Sequence, residues 1–182
     1  MTTYIAMLRG INVAGQNRIK MAELKALCES LGLARVVTYV QSGNLVFDAG
    51  VAGEARVSGL IEDGISRAFG LSVQVLSRTS ERWSRIIAAN PFPARQGIDL
   101  AKLHVTFLAA IPTAEAIKPL GSSIDHADEF IPAGQEIYLH CPDGYGRTKF
   151  TNTFFEKKLK MAATTRNWNT VLALNELAKG QR

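Results

Sequence analysis

Three clusters of polar residues are the places where this chain could do chemistry. The first joins Arg9, Gly10, Ile11 and Asn12 to Asn17, Arg18 and Lys20. An arginine at a strand end, followed by a glycine-containing loop and a helix, offers a guanidinium and backbone N–H groups to an anion. The second is Gln41, Ser42 and Asn44 around Gly43, at the tip of a hairpin. The third and densest runs over residues 144–152, with Arg147, Thr148, Lys149 and Asn152, and resumes over 164–170 with Arg166, Asn167 and Asn169. Glycines, hydroxyls and basic groups ahead of a helix are the parts of a phosphate cradle. Their spacing departs from G-x-x-x-x-G-K-[ST], which argues against a nucleoside-triphosphate loop. Each cluster has a structural alternative. Arg9 can pair with a carboxylate at the core edge, Asn12 and Asn17 can serve turns, the tip residues can serve theirs, and Thr165 or Asn167 can cap the last helix.

Other chemistries find little support. Cys28 and Cys141 have no CxxC partner and no histidine pair at ligand spacing, so neither a zinc site nor a disulfide framework is expected. His126 stands between Asp125 and Asp128 without the i, i+4 spacing that would set ligands on one helix face. His104 and His140 fall inside expected strands, and no GxSxG or HExxH occurs. No metal or cofactor is therefore expected. The N-terminus lacks a signal-peptide pattern and no apolar run is long enough to span a membrane, so the expectation is a reduced, cytoplasmic protein without a membrane partner. The net charge of +5 is unevenly spread, with eight Lys/Arg against two Asp/Glu over residues 144–182. A basic surface of this kind raises the local concentration of phosphate-bearing ligands.

The elements that must position these clusters follow from hydrophobic periodicity. Tyr4 to Arg9 is apolar on both faces and reads as a central, doubly covered strand. A helix follows with Met21, Leu24, Leu27, Cys28 and Leu31 on one side and Gly32 after it. Residues 36–41 and 44–48 are hairpin strands about a two-residue Ser42-Gly43 turn. Val57, Leu60, Ile61, Ile65 and Phe69 mark the second helix, Gly70 its stop, and residues 73–77 the next strand. Strand, helix, strand, strand, helix, strand is the ferredoxin-like βαββαβ unit.

A helix bearing Trp83 and a loop to Asp99 come next, giving a division at 1–80, 81–99 and 100–182. The last part reads as a strand over 103–109, a short helix opened by Pro112-Thr113, a hairpin across residues 132–134, and two final helices, the first with Thr153 and Glu156 as a capping box. The fold class expected is α+β, a ferredoxin-like N-terminal half packed with a second α+β half of related order and sharing one core. With the first and third strands taken as parallel, the loop after strand one and the hairpin tip fall at opposite ends of the sheet, roughly 17 Å apart, too far for one small ligand.

Leu8-Arg-Gly-Ile-Asn-Val13, Thr38-Tyr-Val-Gln-Ser-Gly-Asn44, Asn90-Pro-Phe92, Glu156-Lys-Lys-Leu159 and Thr165-Arg-Asn-Trp-Asn-Thr-Val171 together resemble the bacterial family known as domain of unknown function 1697. The resemblance spans nearly the whole chain and departs from it only in details such as Thr148, where Ser is expected. It implies an α+β fold with a ferredoxin-like first half in a small cytoplasmic protein. It brings no settled activity, substrate or catalytic residue.

Three functional readings remain open at this point. The leading one is a non-catalytic binding module for a phosphate-bearing ligand, nucleic acid in particular, through the basic cluster with Arg9 and Lys20 contributing. The second is an enzyme acting on a phosphorylated small molecule, with Lys149 and Arg166 as charge clamps beside Arg9. The third makes the clusters purely structural, as buried and fully paired networks. An RNA-recognition sheet is disfavoured because the two central strands lack paired exposed aromatics.

Overall fold

The computed structural model describes residues 1–123 and 127–180. The chain divides into two compact units, Met1–Arg85 together with the chain from Ala173 onward, and Ile86–Leu172. Asp125 and His126 lie outside the described residues. Among the described residues, no helix is long and apolar enough to cross a membrane.

The first unit runs β1 (Thr2–Leu8), α1 (Met21–Ser30), β2 (Ala34–Tyr39), β3 (Asn44–Ala49), α2 (Glu54–Phe69) and β4 (Val75–Thr79) and includes the start of α3 (Ser80–Ala88), whose residues from Ile86 on fall in the second. Its strands form one antiparallel sheet in the order β2-β3-β1-β4, the ferredoxin-like arrangement. Tyr4 to Leu8 are all buried, as a strand apolar at every position requires. Tyr4, Ala6 and Leu8 share a core with Leu45, Phe47 and Ala49, with Leu24 and Cys28 of α1, and with Val57, Ile61 and Ile65 of α2. Each large side chain so placed contributes about 1.5–3 kcal/mol of transfer free energy, which fixes the face on which the helices lie. The strand expected at 73–77 begins two residues later, and Val73 instead packs into this core from the preceding loop.

At the sheet edge the β2–β3 register shifts between Ala34 and Val37, where Arg35 takes φ +50. Its guanidinium pairs with the buried carboxylate of Asp48, which also accepts from Thr3 Oγ1 at 2.6 Å.

The second unit's sheet-forming elements are β5 (Leu103–Leu108), α4 (Ala114–Ile117), β6 (Glu129–Ala133), β7 (Glu136–His140), α5 (Asn152–Leu159) and β8 (Ala163–Asn167), after which the chain continues into α6 (Trp168–Lys179). Between the two closing helices lies a strand that periodicity did not announce. β8 is polar at Thr164, Thr165, Arg166 and Asn167, yet its β-branched threonines suit an extended edge beside β5. The order β6-β7-β5-β8 repeats that of the first unit strand for strand. The repetition reaches single bonds. Leu8 N–H donates to Gly43 C=O and Leu108 N–H to Gln135 C=O, both at 2.8 Å. Arg9 N–H donates to Gln74 C=O at 2.8 Å and Ala109 N–H to Ala162 C=O at 3.0 Å. A buried arginine faces the middle of the central strand in each, Arg78 opposite Ile5 and Arg166 opposite Val105. Thr79 then caps α3 through Arg82 N–H as Asn167 caps α6 through Thr170 N–H.

Because the two sheets match, each unit shows how short the other's connections can be. The β1–α1 connection takes residues 9–20, where the second unit makes the same step with 109–113. The first hairpin turns over residues 40–43, the second over 134–135. In the opposite sense, β7–α5 uses residues 141–151, including a 3-10 turn at Tyr145–Arg147, where β3–α2 uses 50–53. The long connections carry the first cluster, the tip residues Gln41 and Ser42, and the 144–151 stretch of the third, whereas residues 164–170 lie on β8 and the start of α6.

Candidate functional site

β1 and β3 are antiparallel neighbours, with Met7 opposite Asn44. This corrects the parallel arrangement expected from the sequence and its separation of roughly 17 Å. The end of β1 and the start of β3 lie at the same end of the sheet, so the first two clusters meet. The hairpin tip also differs from expectation. Instead of a two-residue Ser42-Gly43 turn there is a four-residue loop, Val40 to Gly43, with Val40 at φ +53 and Gly43 at φ +80. Gly43 is required twice over. A Cβ there would stand 2.5 Å from Ile11 Cδ1 and 3.0 Å from Leu8 Cβ, and its φ is one that L residues rarely adopt.

Asparagines hold the long loop in shape. Asn12 Nδ2 donates to Ile19 C=O and to Gln41 C=O, both at 2.9 Å, while its Oδ1 accepts from Ile19 N–H at 2.9 Å. Asn17 Nδ2 donates to Gly10 C=O at 3.1 Å, and Val13 and Gln16 form a small bridge at the loop's far end. Asn12 and Asn17 both have positive φ, which asparagine tolerates better than other side-chain-bearing residues. Ile11 and Ile19 are buried and anchor the loop at either end. Asn44 is fully buried and ties the tip by donating to Tyr39 C=O at 2.9 Å and to Ser42 Oγ at 3.2 Å, so Ser42 and Asn44 serve the turn.

The loop and tip enclose an open pocket of about 500 Å³ lined by Asn12, Gly15, Arg18, Ile19, Lys20 and Gln41, with Glu23 at its side. Arg18 is exposed and makes no hydrogen bond or ion pair among the described residues; its guanidinium lies over Gly15, Nη2 being 3.3 Å from where a Cβ would stand. Lys20 is 3.9 Å from Glu23, an exposed pair worth little in water. Lys20 also occupies the N-cap of α1 without a side-chain cap bond. Arg9 is half-buried, engaged in contacts of its own, and not among the residues lining this pocket.

In the second unit the third cluster divides. Thr148 is buried and accepts from Phe150 N–H at 3.1 Å. Thr106 donates to Thr165 Oγ1 at 2.8 Å, and Thr165 donates on to Asn152 Oδ1 at 2.7 Å. Arg166 is buried and donates to Thr164 Oγ1 at 2.8 Å and to Thr165 C=O at 3.0 Å. Asn167 accepts from Thr170 N–H at 2.8 Å. The α5 cap is Thr151, not Thr153, and Glu156 accepts from Ala163 N–H at 3.1 Å rather than closing a capping box. Arg147, Lys149 and Asn169 are exposed. Lys149 thus faces solvent, whereas Arg166 is buried and bonded to Thr164 and Thr165 of its own strand.

No group of three His, Cys, Asp or Glu among the described residues is placed to hold a metal ion. His104 stacks on Tyr145 with ring centres 4.7 Å apart, and burial lowers its imidazole below the ordinary 6.5. Burial pushes the thiols of Cys28 and Cys141 up to about 12 and about 11, which leaves them as unreactive core groups. Two exposed apolar residues that sequence reasoning passed over are chain neighbours of pocket-lining residues. Val13 follows Asn12 and Val40 precedes Gln41, and they are 60% and 48% exposed. The signal that would have found them is the excess length of their two connections over those of the second unit.

The fold has a close structural relative. "The structure of conserved bacterial protein SP0830 from Streptococcus pneumoniae" superposes with a TM-score of 0.77 at 23% identity, covering 98% of this chain and 99% of that one. At that identity the likeness speaks to the fold. Among curated proteins none matches the chain. The family model described as "Protein of unknown function (DUF1697)" matches residues 1–138, and the chain belongs to that family.

Proposed function

We propose that the protein is a binding module for a small phosphate-bearing ligand, received between the β1–α1 loop and the β2–β3 tip. One observation carries the reading. The same crossover is made in residues 109–113 of the second unit, so the fold does not call for residues 9–20, and that added length forms much of a pocket with two cations and a single carboxylate. Loops well beyond the usual two to six residues are commonly functional. The pocket's volume falls in the range of small-ligand sites. Arg18 supplies a fork-shaped donor suited to phosphate, Lys20 a second charge, and the uncapped start of α1 further N–H groups. The reading is of binding rather than catalysis because the lining offers cationic and amide groups that hold an anion, with a single exposed carboxylate, Glu23.

The test is amide chemical-shift mapping with ribose 5-phosphate. Perturbations are expected in residues 9–20 and 40–43, and Arg18→Ala should weaken binding about tenfold, as loss of a charge-assisted hydrogen bond does. Shifts confined to other regions, or none at all, would overturn the reading.

A second reading is favoured by the long 141–151 connection, where Arg147 and Lys149 are exposed and the following helix exposes Lys157 and Lys158. It is nucleic-acid binding on the second unit, and it predicts gel-shift affinity that falls steeply between two salt concentrations. Absence of any shift at low salt would remove it.

A further inference from the structure

Arg18 is held at its backbone and left open at its tip. On one side Asn17 is tied by its Nδ2 to Gly10 C=O at 3.1 Å. On the other, Ile19 is buried and bonded through both its N–H and its C=O to the side-chain amide of Asn12. The guanidinium beyond makes no hydrogen bond or ion pair among the described residues. What it meets is Gly15. Its Nη2, Nε and Cζ atoms lie 3.3, 3.9 and 4.0 Å from the point where a Cβ of residue 15 would stand. Both residues line the pocket between the loop and the hairpin tip.

Gly15 belongs to a tight turn over residues 13–16, in which Gln16 N–H donates to Val13 C=O at 2.9 Å. Its φ of +78 suits that turn. Left-handed backbone does not exclude side chains from this loop, however, since Asn12, Ala14 and Asn17 adopt it at φ +54, +49 and +47. The missing side chain therefore has an effect besides the turn. It leaves a bare Cα on which the weakly hydrated face of a guanidinium can rest. A long side chain immobilised only by its ligand loses rotamer freedom on binding, and a seat that already limits the tip reduces that loss.

Resting on the phosphate-site reading above, we infer that Gly15 is a positioning residue of that site, whose bare Cα seats the Arg18 guanidinium and presents its N–H fork to the phosphate. A double-mutant cycle, read by titrating the full chain with ribose 5-phosphate, tests this. Gly15→Asn keeps the turn, because asparagine accepts left-handed backbone as it does at positions 12 and 17, and sets a Cβ and an amide where the guanidinium rests. It should weaken binding about threefold to tenfold in the native background, but less than about twofold in an Arg18→Ala background, where the group it displaces is gone. Gly15→Ala, which adds the Cβ alone, should fall between the native chain and Gly15→Asn. Equal weakening in both backgrounds assigns Gly15 to the turn alone and overturns the inference, and so does unchanged binding by Gly15→Asn. In either case binding by the native chain, and its loss in Arg18→Ala, leave the phosphate site standing. Failure of the native chain to bind ribose 5-phosphate overturns both.

Discussion

Replacing Gly43 by alanine tests whether the hairpin tip and the β1–α1 loop are mechanically one object. Two costs add. Alanine at φ +80 meets the left-handed penalty of about 1–2 kcal/mol. Its Cβ would stand 2.5 Å from Ile11 Cδ1, 2.9 Å from Ile11 Cγ1 and 3.0 Å from Leu8 Cβ. Overpacking of that kind costs about 1–3 kcal/mol, because Ile11 is 1% exposed and has nowhere to retreat. The expected loss is thus about 3 kcal/mol. Gly134→Ala is the internal control, with φ +65 in the equivalent hairpin but nothing within 4 Å of the new Cβ. It should cost only the backbone part, about 1–2 kcal/mol. Guanidinium denaturation of the two variants measures the difference. A double variant adding Ile11→Ala should lose less than the sum of the single losses, since the clash partner is gone. If Gly43→Ala costs no more than Gly134→Ala, or the double variant is additive, the two loops are not packed as described.

The remaining predictions concern titration and reactivity. His104 has a folded-state pKa lowered by burial, so the unfolded chain binds its proton more readily. The resulting stability is present in full above the ordinary imidazole value of 6.5 and is lost as pH falls from there through the lowered folded value. His104→Phe should flatten that part of the denaturation-midpoint profile, and an unchanged profile would refute the assignment. Cys28 and Cys141, raised to about 12 and about 11 by burial, should resist iodoacetamide at mildly alkaline pH until denaturant is added. Alkylation of either in the native protein would contradict the described core.

The first unit was legible wherever burial dictated residue type. Tyr4 to Leu8 are apolar on both faces because both are covered, and Val57, Ile61 and Ile65 recur at helical spacing because one face of α2 meets the sheet. β8 was hidden because an edge strand bonded on one side tolerates Thr164, Thr165 and Asn167, whose polarity resembles that of a loop. The turn at Val40 was hidden for a different reason, since a valine at positive φ contradicts the local preference that sequence reading relies on. The site residues were half legible. Asn12, Lys20 and Gln41 were singled out by type and do line one pocket, but their meeting depends on the direction of β3 against β1, a long-range pairing that no local spacing encodes. In the third cluster, hydroxyls and amides that looked available for a ligand are engaged by neighbouring backbone and by one another, as at Thr165 and Asn152.

Arg35 turns the outer strand out of register, and its charge is pinned there by Asp48. An incoming chain seeking to extend this sheet would find a regular row of bonding groups only along Val37–Tyr39, interrupted just before it by a guanidinium and a bend. The same irregularity that distorts one hairpin thereby makes this one edge a poor template for a further strand.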